Sequence, residues 1–319
     1  MTLAKILVAV DFSTESQSAV QQALEVARHT GAHLVLLHVG AVPDRPIGVP
    51  ATMHTTVAEY LRLVEEDLVR DRKQLEQVRQ RISGQGVEIS HMVIDGIPDH
   101  GIRKAADQIG ADLIVIGTHG RTGLKRFFLG SVAERVVRLS EHTVLVARGE
   151  PSCQGGYHRI LVATDLSDDA DWPLEMAMRL CATGGSAGSD LPVVDVLHCW
   201  HLPPMSYPHY APTKSASDVV TSLRESIERG THDMGNKLVD RHRRDNVTLT
   251  FHELEQAPAH GIQHWMEENG PYDLVVTGSH GRRGAARLLL GSVAEFTVRH
   301  SPCSVLVVHT SRASAVAPD

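Results

Sequence analysis

The chain repeats itself once, and this duplication limits its architecture. The segment DLIVIGTHGRTGLKRFFLGSVAERVVRLSEHTVLV, from Asp112, aligns without a gap to DLVVTGSHGRRGAARLLLGSVAEFTVRHSPCSVLV, from Asp273, and more than half of the positions are identical. Shorter matches precede it, among them ILVAVDFS with ILVATDLS and LLHV with VLHC. A repeat of about 160 residues has the size of a domain, not of a solenoid unit. We therefore expect two homologous domains, residues 1–150 and 151–319, joined near PSCQGGYH.

Each half alternates short apolar runs with helical patterns. The runs in the first half that are typical of buried strands are Lys5–Val10, His33–Val39, Val87–Ile94, Leu113–Gly117 and Thr143–Ala147. Helices are predicted at about Glu15–His29, along the apolar stripe from Leu61 to Ile82, and at Asp99–Ile109 and Ser131–Leu139, and Thr14 with Gln17 forms a candidate capping box. This alternation predicts an α/β fold with a parallel sheet and helices on both faces. The fifth strand of each half should be a sheet edge that is open to pairing.

Composition narrows the classes of partner. The 319 residues carry 31 Lys and Arg against 38 Asp and Glu, a net charge of −7 that disfavours general binding to nucleic acid. The 4 cysteines are too few for a disulfide scaffold and favour a reducing cytoplasm. The N-terminus does not resemble a signal peptide, and the longest uncharged stretch contains prolines, so we expect no membrane span.

A repeated glycine pattern follows the fourth strand of each half. It reads Gly117-x-x-Gly120-x9-Gly130-Ser131 in the first half and Gly278-x-x-Gly281-x9-Gly291-Ser292 in the second. Glycines let backbone N–H groups approach a ligand closely, and the Gly-Ser pair precedes a predicted helix whose N-terminus favours an anion. Basic residues lie within both loops, namely Arg121, Lys125, Arg126, Arg282, Arg283 and Arg287. The pattern therefore predicts a phosphate site in each half, the alternative being a glycine-rich turn with a helix cap.

An aspartate follows the first strand of each half. Asp11 and Asp165 both stand in an Asp-x-Ser sequence, and the carboxyl ends of neighbouring parallel strands meet at one edge of a sheet. If the first and fourth strands are neighbours, Asp11 faces Gly117 across a crevice. Such a carboxylate can bind a ribose hydroxyl, an adenine amine or a metal ion, or it can serve only as a turn residue.

Motifs for catalysis are not found in the sequence. The chain lacks a G-x-S-x-G elbow, a Walker G-x-x-x-x-G-K-[ST] loop and a G-x-G-x-x-G after the first strand. Among the 20 histidines no H-E-x-x-H pair occurs, so no metal centre is predicted. Mg²⁺ that accompanies a bound nucleotide needs only one or two carboxylates, which Asp11 or Asp165 would supply.

Taken together, these motifs resemble those of a tandem universal stress protein. The resemblance spans nearly the whole chain and is carried by G-x-x-G-x9-G-[ST], by the V-D-x-S opening, and by Val93-x-x-Gly96-x-Pro98. It implies a Rossmann-like domain of the adenine nucleotide α-hydrolase type in each half, with a five-stranded parallel sheet of order 3-2-1-4-5. It also implies that the halves pack about a pseudo-two-fold axis, with a homodimer of two chains as a further option.

The resemblance also implies a function and a set of site residues. The ligand is an adenine nucleotide, ATP, bound by a stress-response sensor without catalytic machinery; a slow ATP-hydrolysing enzyme and a nucleotide-free interaction module are the alternatives. Val10 and Asp11 would flank the adenosine, and Val39 would line the adenine pocket. The residues implied around the ribose and phosphates are Ile116, Gly117, His119, Gly120, Gly130, Ser131 and Val132. The corresponding residues of the second half are Thr164, Asp165, Cys199, Thr277, Gly278, His280, Gly281, Gly291, Ser292 and Val293.

The second half departs from this pattern near the base pocket. Gln256 and Ala257 stand where the first half has Gly96 and Ile97, and Cys199 stands in place of Val39. The glycine pattern itself is intact in both copies. We therefore expect both halves to bind ATP, the first at least as tightly as the second.

Overall fold

A computed structural model describes eight stretches of the chain. These are residues 3–40, 54–118, 120, 129–149, 155–182, 191–202, 214–279 and 290–309.

The two halves have the same order of elements. The first contains β1 (Lys5–Ala9), α1 (Thr14–Thr30), β2 (His33–Gly40), α2 (His54–Ile82), β3 (Ile89–Asp95), α3 (Pro98–Ile109), β4 (Leu113–Gly117), α4 (Ser131–Leu139) and β5 (Thr143–Ala147). The second contains β6 (Arg159–Thr164), α5 (Asp171–Leu180), β7 (Val193–Trp200), α6 (Lys214–His242), β8 (Thr248–Glu255), α7 (Pro258–Asn269), β9 (Leu274–Gly278), α8 (Ser292–His300) and β10 (Ser304–Val308). The α/β alternation predicted from the sequence is confirmed.

All ten strands form one sheet of order β3-β2-β1-β4-β5-β10-β9-β6-β7-β8. Each half therefore has the order 3-2-1-4-5, and every strand pair within a half is parallel. The inner strands β4, β5 and β10 are buried along their whole length and are mostly apolar, because helices cover both faces of a parallel sheet.

The predicted edges of the two halves pair with each other. β5 and β10 run antiparallel, with Val144 opposite Val307, Leu145 opposite Leu306 and Val146 opposite Val305. Leu145 and Leu306 are equivalent positions of the repeat, and the two outer pairs exchange equivalent valines. A local two-fold axis therefore passes between the leucines, which is the symmetry of an isologous interface contained in one chain.

Side chains on both faces of the sheet join the halves. On one face, the Ser304 hydroxyl donates to Gln22 Oε1 at 2.8 Å. On the other, Arg299 Nη2 donates to Glu134 Oε1 at 2.8 Å, between α8 and α4. The core forms two continuous layers, one under α1, α2, α5 and α6 and one under α3, α4, α7 and α8, and each layer contains residues of both halves.

The start of α1 differs from the sequence prediction. Ser13, not Thr14, is the N-cap, and its hydroxyl accepts a hydrogen bond from Ser16 N at 3.2 Å. The capping box of Thr14 with Gln17 is therefore wrong, and the Gln17 side chain is exposed. Among the helices that the structure describes, none combines the length and apolarity needed to cross a membrane.

Candidate functional site

The strand order places a switch point at the same position in each half. β1 lies between β2 and β4, and β6 lies between β7 and β9. Successive crossovers run in opposite directions from these central strands, and ligands of open α/β sheets bind outside the carboxyl ends at such a point. Asp11 and Asp165 follow the central strands there, and Gly117 and Gly278 end the neighbouring strands.

Both aspartates are held by the same strained turn. The residue after each aspartate has a left-handed backbone, with φ of 66° at Phe12 and 55° at Leu166. Bulky residues rarely adopt this conformation, which is often found at functional sites. The turn is closed by the following serine, whose N–H donates to the aspartate Oδ1 at 3.1 Å in both halves. In the first half the Ser13 hydroxyl also donates to Asp11 Oδ1 at 2.5 Å.

A buried histidine supports each of these turns from beneath. His38 Nδ1 lies 2.6 Å from the Val10 carbonyl oxygen, and His198 Nδ1 lies 2.9 Å from the Thr164 carbonyl oxygen. Each carbonyl belongs to the residue just before the aspartate, and because a carbonyl only accepts, Nδ1 carries the proton. In the first half Nε2 of the same ring lies 3.3 Å from Asp71 Oδ2. No role was assigned to His38 or His198 from the sequence. The signal that could have found them is a histidine at the same position of the apolar second strand in both halves.

The glycine loop is closed at its base in both halves. Gly130 N–H donates to the Thr118 carbonyl at 2.7 Å, and Gly291 N–H donates to the Ser279 carbonyl at 2.8 Å. The segment that leaves the fourth strand therefore returns to the same point before the last helix begins. The structure thus brings Ser131 and Ser292 to the switch point, as the spacing predicts.

Gly120 lies against the aspartate of the first half. A Cβ built on Gly120 would stand 2.7 Å from Asp11 Oδ2, closer than side chains approach one another. Any side chain at this position would have to displace the Asp11 carboxylate. This contact joins the end of β1 to the glycine loop.

The helices that follow the loops begin with a glycine N-cap. Gly130 has φ −63° and ψ 146°, and Gly291 has φ −64° and ψ 146°, so the two caps have the same geometry. The first-turn N–H groups of a helix have no carbonyl partner within the helix, and glycine has no side chain to cap them. The N-termini of α4 and α8 thus present N–H donors and the positive end of the helix dipole.

Other predicted residues have packing roles that the structure makes visible. A Cβ on Gly117 would stand 2.9 Å from the Glu15 carbonyl oxygen, so this glycine admits the first turn of α1. A Cβ built on Gly101 would stand 2.9 Å from Val39 Cγ1, and a Cβ built on Gly261 would stand 2.8 Å from Cys199 Sγ. Burial raises the pKa of the Cys199 thiol to about 12, so this cysteine behaves as an apolar residue.

The remaining site predictions fall into two groups. Four residues are buried or pack against the core beside the loop, namely Ile116, Thr277, Val132 and Val293. Three predicted residues lie outside the described residues, namely His119, His280 and Gly281, as do the basic residues of both loops.

The arrangement is suited to binding a polar anion. Uncapped N–H donors stand on one side of the switch point, and a fixed carboxylate that can accept from hydroxyl or amino groups stands on the other. Within the described ranges, no three His, Cys, Asp or Glu side chains converge to hold a metal ion. The fold is a duplicated α/β domain, with the same aspartate turn and glycine cap at the switch point of each half.

Comparison with known proteins identifies the family. The profile of the "Universal stress protein family" matches residues 2–148 and 156–309. The chain belongs to this family, with two of its domains in tandem. A universal stress protein of Methanocaldococcus jannaschii is 30% identical over 159 residues, which are 46% of this chain and 96% of that protein. The universal stress protein YxiE of Bacillus subtilis is 34% identical over 150 residues, 45% of this chain and 98% of that protein.

A solved structure matches the whole tandem arrangement. The crystal structure of a universal stress protein from Archaeoglobus fulgidus DSM 4304 aligns over 96% of both chains, with a TM-score of 0.60 and 21% identity. A likeness at this level of identity shows the fold.

Proposed function

We propose that each half binds an adenine nucleotide, ATP in the first instance, and that the protein acts as a sensor of nucleotide occupancy. The observation that supports this most directly is the repetition of the site. Both halves combine a strained Asp-x-Ser turn, a closed loop base and a bare glycine cap at one switch point. A turn that served packing alone would have no reason to keep all three features in both copies.

The residues at the switch point fit such a ligand. A nucleotide brings phosphates that accept from the N–H groups of Ser131 and Val132 at the start of α4, and hydroxyl and amino groups that donate to Asp11. Ser292, Val293 and Asp165 are the second-half counterparts. Mg²⁺ bound with the phosphates would take one of these aspartates as a ligand.

Sensing is favoured over catalysis because the sequence carries no catalytic motif, and the Ser13 hydroxyl that pairs with Asp11 is engaged as the N-cap of α1. Burial raises the pKa of Cys199, whose strand ends at this edge of the sheet, to about 12 and keeps it a thiol. A nucleotide then acts by favouring one conformation of the surface around the site. Turnover of bound ATP at ~1 s⁻¹ or faster, an ordinary enzymatic rate, would contradict this proposal.

The test uses Gly130→Asp and Gly291→Asp. The φ and ψ of both caps are open to any residue, and aspartate is a good N-cap, so the helices should stay folded. The new carboxylate would repel phosphate at the helix N-terminus. We expect equilibrium titration with ATP to fall from two sites per chain to one in each single variant and to none in the double variant.

The matched controls are Gly130→Asn and Gly291→Asn, which keep a capping side chain without the charge. They should bind ATP more tightly than the aspartate variants. Absence of nucleotide from the purified protein together with two unchanged sites in both aspartate variants would overturn the assignment. Weaker binding of ATP in the second half than in the first would agree with the departures of Cys199, Gln256 and Ala257 from the first-half pattern.

A further inference from the structure

A cavity of about 250 Å³ lies between α1 and α2 of the first half, on the face of the sheet covered by these helices. Its floor is apolar and consists of Val10, Phe12, Val20, Val78 and Ile82. The volume equals that of about eight water molecules, at roughly 30 Å³ each. An open groove with an apolar floor can accommodate a ring or a short hydrocarbon chain.

The rim of the cavity is polar and has one cation. It is formed by Gln17, Gln21, Gln74, Gln77 and Arg81. Among the residues that the structure describes, none forms a side-chain hydrogen bond or ion pair with these five. Four carboxamides and a guanidinium around an apolar floor are the polar groups that orient a ligand in a small-molecule site, and the guanidinium selects an anion.

In the second half, the equivalent arginine is paired with a carboxylate of the protein itself. Alignment of the repeats makes Asp171 the counterpart of Gln17 and Arg241 the counterpart of Arg81. Arg241 Nη2 lies 2.8 Å from Asp171 Oδ2, and His242 Nε2 lies 2.7 Å from Asp171 Oδ1. Burial opposes the charge of Asp171, yet hydrogen bonds from His242 and Arg241 outweigh it and hold the pKa of this carboxyl below its ordinary value. The first half thus keeps the arginine and lacks the carboxylate.

We propose that the cavity between α1 and α2 binds a small organic monocarboxylate with an apolar body, whose carboxylate pairs with Arg81 in the place that Asp171 occupies in the second half. A single arginine beside four neutral amides matches one negative charge better than a polyphosphate. The guanidinium fork fits a carboxylate in two parallel hydrogen bonds. The body of the ligand would rest on the valine and isoleucine side chains of the floor.

The location makes this site distinct from the proposed nucleotide site. Val10, which the family resemblance places beside the adenosine, lines the cavity with Phe12 on the α1 and α2 face of the sheet, whereas Asp11 lies beside Gly120 at the glycine loop. The two sites are therefore on opposite sides of one turn. Carboxylate binding requires no nucleotide, so it can be measured in the double variant Gly130→Asp with Gly291→Asp as well as in the native chain.

The experiment uses phenylacetate, indole-3-acetate and octanoate as probes, each beside its carboxamide. Methyl NMR of the full chain follows the side chains of Val20, Val78 and Ile82. We expect saturable shifts of these methyl signals with at least one carboxylate and at least tenfold weaker binding of the matching amide. The same shifts should occur in the double glycine variant.

Two variants test the role of the charge. Gln17→Asp places a carboxylate where the second half has Asp171, so Arg81 should pair internally and the affinity for the probe should fall at least tenfold. Arg81→Gln should weaken binding to a similar extent by removing the cation. Gln108→Asp, which adds the same charge on the exposed face of α3, is the matched control and should leave binding unchanged.

Three results would overturn the proposal. One is the absence of saturable shifts at these methyl groups with every probe at millimolar concentration. Another is equal binding of acids and amides. The third is full affinity in Gln17→Asp when thermal unfolding shows the variant to be folded.

Discussion

At the scale of single residues, the site depends on two residues with a strained backbone and on a glycine, which has no side chain. Phe12 and Leu166 have left-handed backbones although neither is glycine, and this conformation places the neighbouring aspartate at the end of the central strand. Gly120 allows the loop backbone to lie beside Asp11, because a larger residue would displace the carboxylate from its present position. The hydrogen bonds of the turn, and the hydrogen bond from the histidine beneath it, offset the conformational cost of these positions.

Gly120→Ala should weaken nucleotide binding in the first half by roughly tenfold, which corresponds to about 1.4 kcal/mol. The added methyl group would stand 2.7 Å from Asp11 Oδ2 and displace the carboxylate from its position. Titration with ATP in a Gly291→Asp background isolates this half. Gly230→Ala, where a Cβ meets nothing within 4 Å, is the control and should be neutral. Unchanged affinity in Gly120→Ala would show that Asp11 does not contact the ligand.

At the scale of elements, the halves differ beneath α7. Asp195 on β7 accepts from Tyr272 at 2.9 Å and lies 2.9 Å from His252 Nε2, and the Trp265 indole donates to the Tyr272 hydroxyl at 2.9 Å. The first-half counterparts are Val35, Met92, Ala105 and Ala111, which pack as part of the apolar core. Burial and the Asp195 carboxylate raise the pKa of Tyr272 to about 12, so its hydroxyl remains a donor.

Asp195→Ala should destabilise the protein by about 2–4 kcal/mol at neutral pH, because it leaves the buried partners without an acceptor. Burial opposes the charge of Asp195, but the hydrogen bonds from His252 and Tyr272 lower its pKa below the ordinary 3.8. A lowered pKa contributes stability that is fully present above 3.8 and is lost as the pH falls below 3.8 and through the lower pKa of the folded state. Denaturant unfolding at pH 7 and at about pH 3 should therefore show a smaller difference between variant and native chain in acid. A constant difference would indicate that cavity formation, not the charge, accounts for the loss.

At the scale of the whole molecule, the antiparallel pairing of β5 with β10 converts two five-stranded sheets into one. This pairing covers two apolar edges that would otherwise be open to other chains. Gln22 of α1 reaches across this junction, since it accepts from Ser304 of β10 at 2.8 Å and donates to the Arg148 carbonyl at 3.3 Å. Burial lowers the pKa of the neighbouring Arg148 guanidinium.

Gln22→Met introduces the residue that stands at the equivalent position of the second half. We expect a loss of about 1 kcal/mol, because the buried Ser304 hydroxyl loses its acceptor at 2.8 Å and keeps the longer contact with the Arg148 carbonyl at 3.3 Å. Hydrogen exchange should show faster opening of β10 as well as β5, although the substitution lies in the first half. Gln108→Met on the exposed face of α3 is the control. Faster exchange confined to α1 would indicate that Gln22 does not couple the halves.

Much of this architecture could be predicted from the chain because the signals are local and occur twice. The apolar runs and helical stripes predicted the α/β alternation, and the glycine spacing predicted that Gly130 and Ser131 start a helix at the carboxyl edge of the sheet. Errors were confined to details such as the cap of α1, where two adjacent hydroxyl residues compete and the Asp11 turn selects Ser13.

Other features depend on contacts between residues distant in sequence. No pattern distinguished a glycine that admits a helix, Gly117, from one that admits a carboxylate, Gly120, because the difference lies in what packs against each. The cavity above Val20 and Val78 required two helices to be set at a particular separation, and its lone arginine became meaningful only beside the closed counterpart at Asp171. Periodicity and spacing along the chain determined which helices and strands form and where they end. Only the packing of these elements in the tertiary structure decided which side chains and backbone groups contact one another, because those residues are distant in sequence.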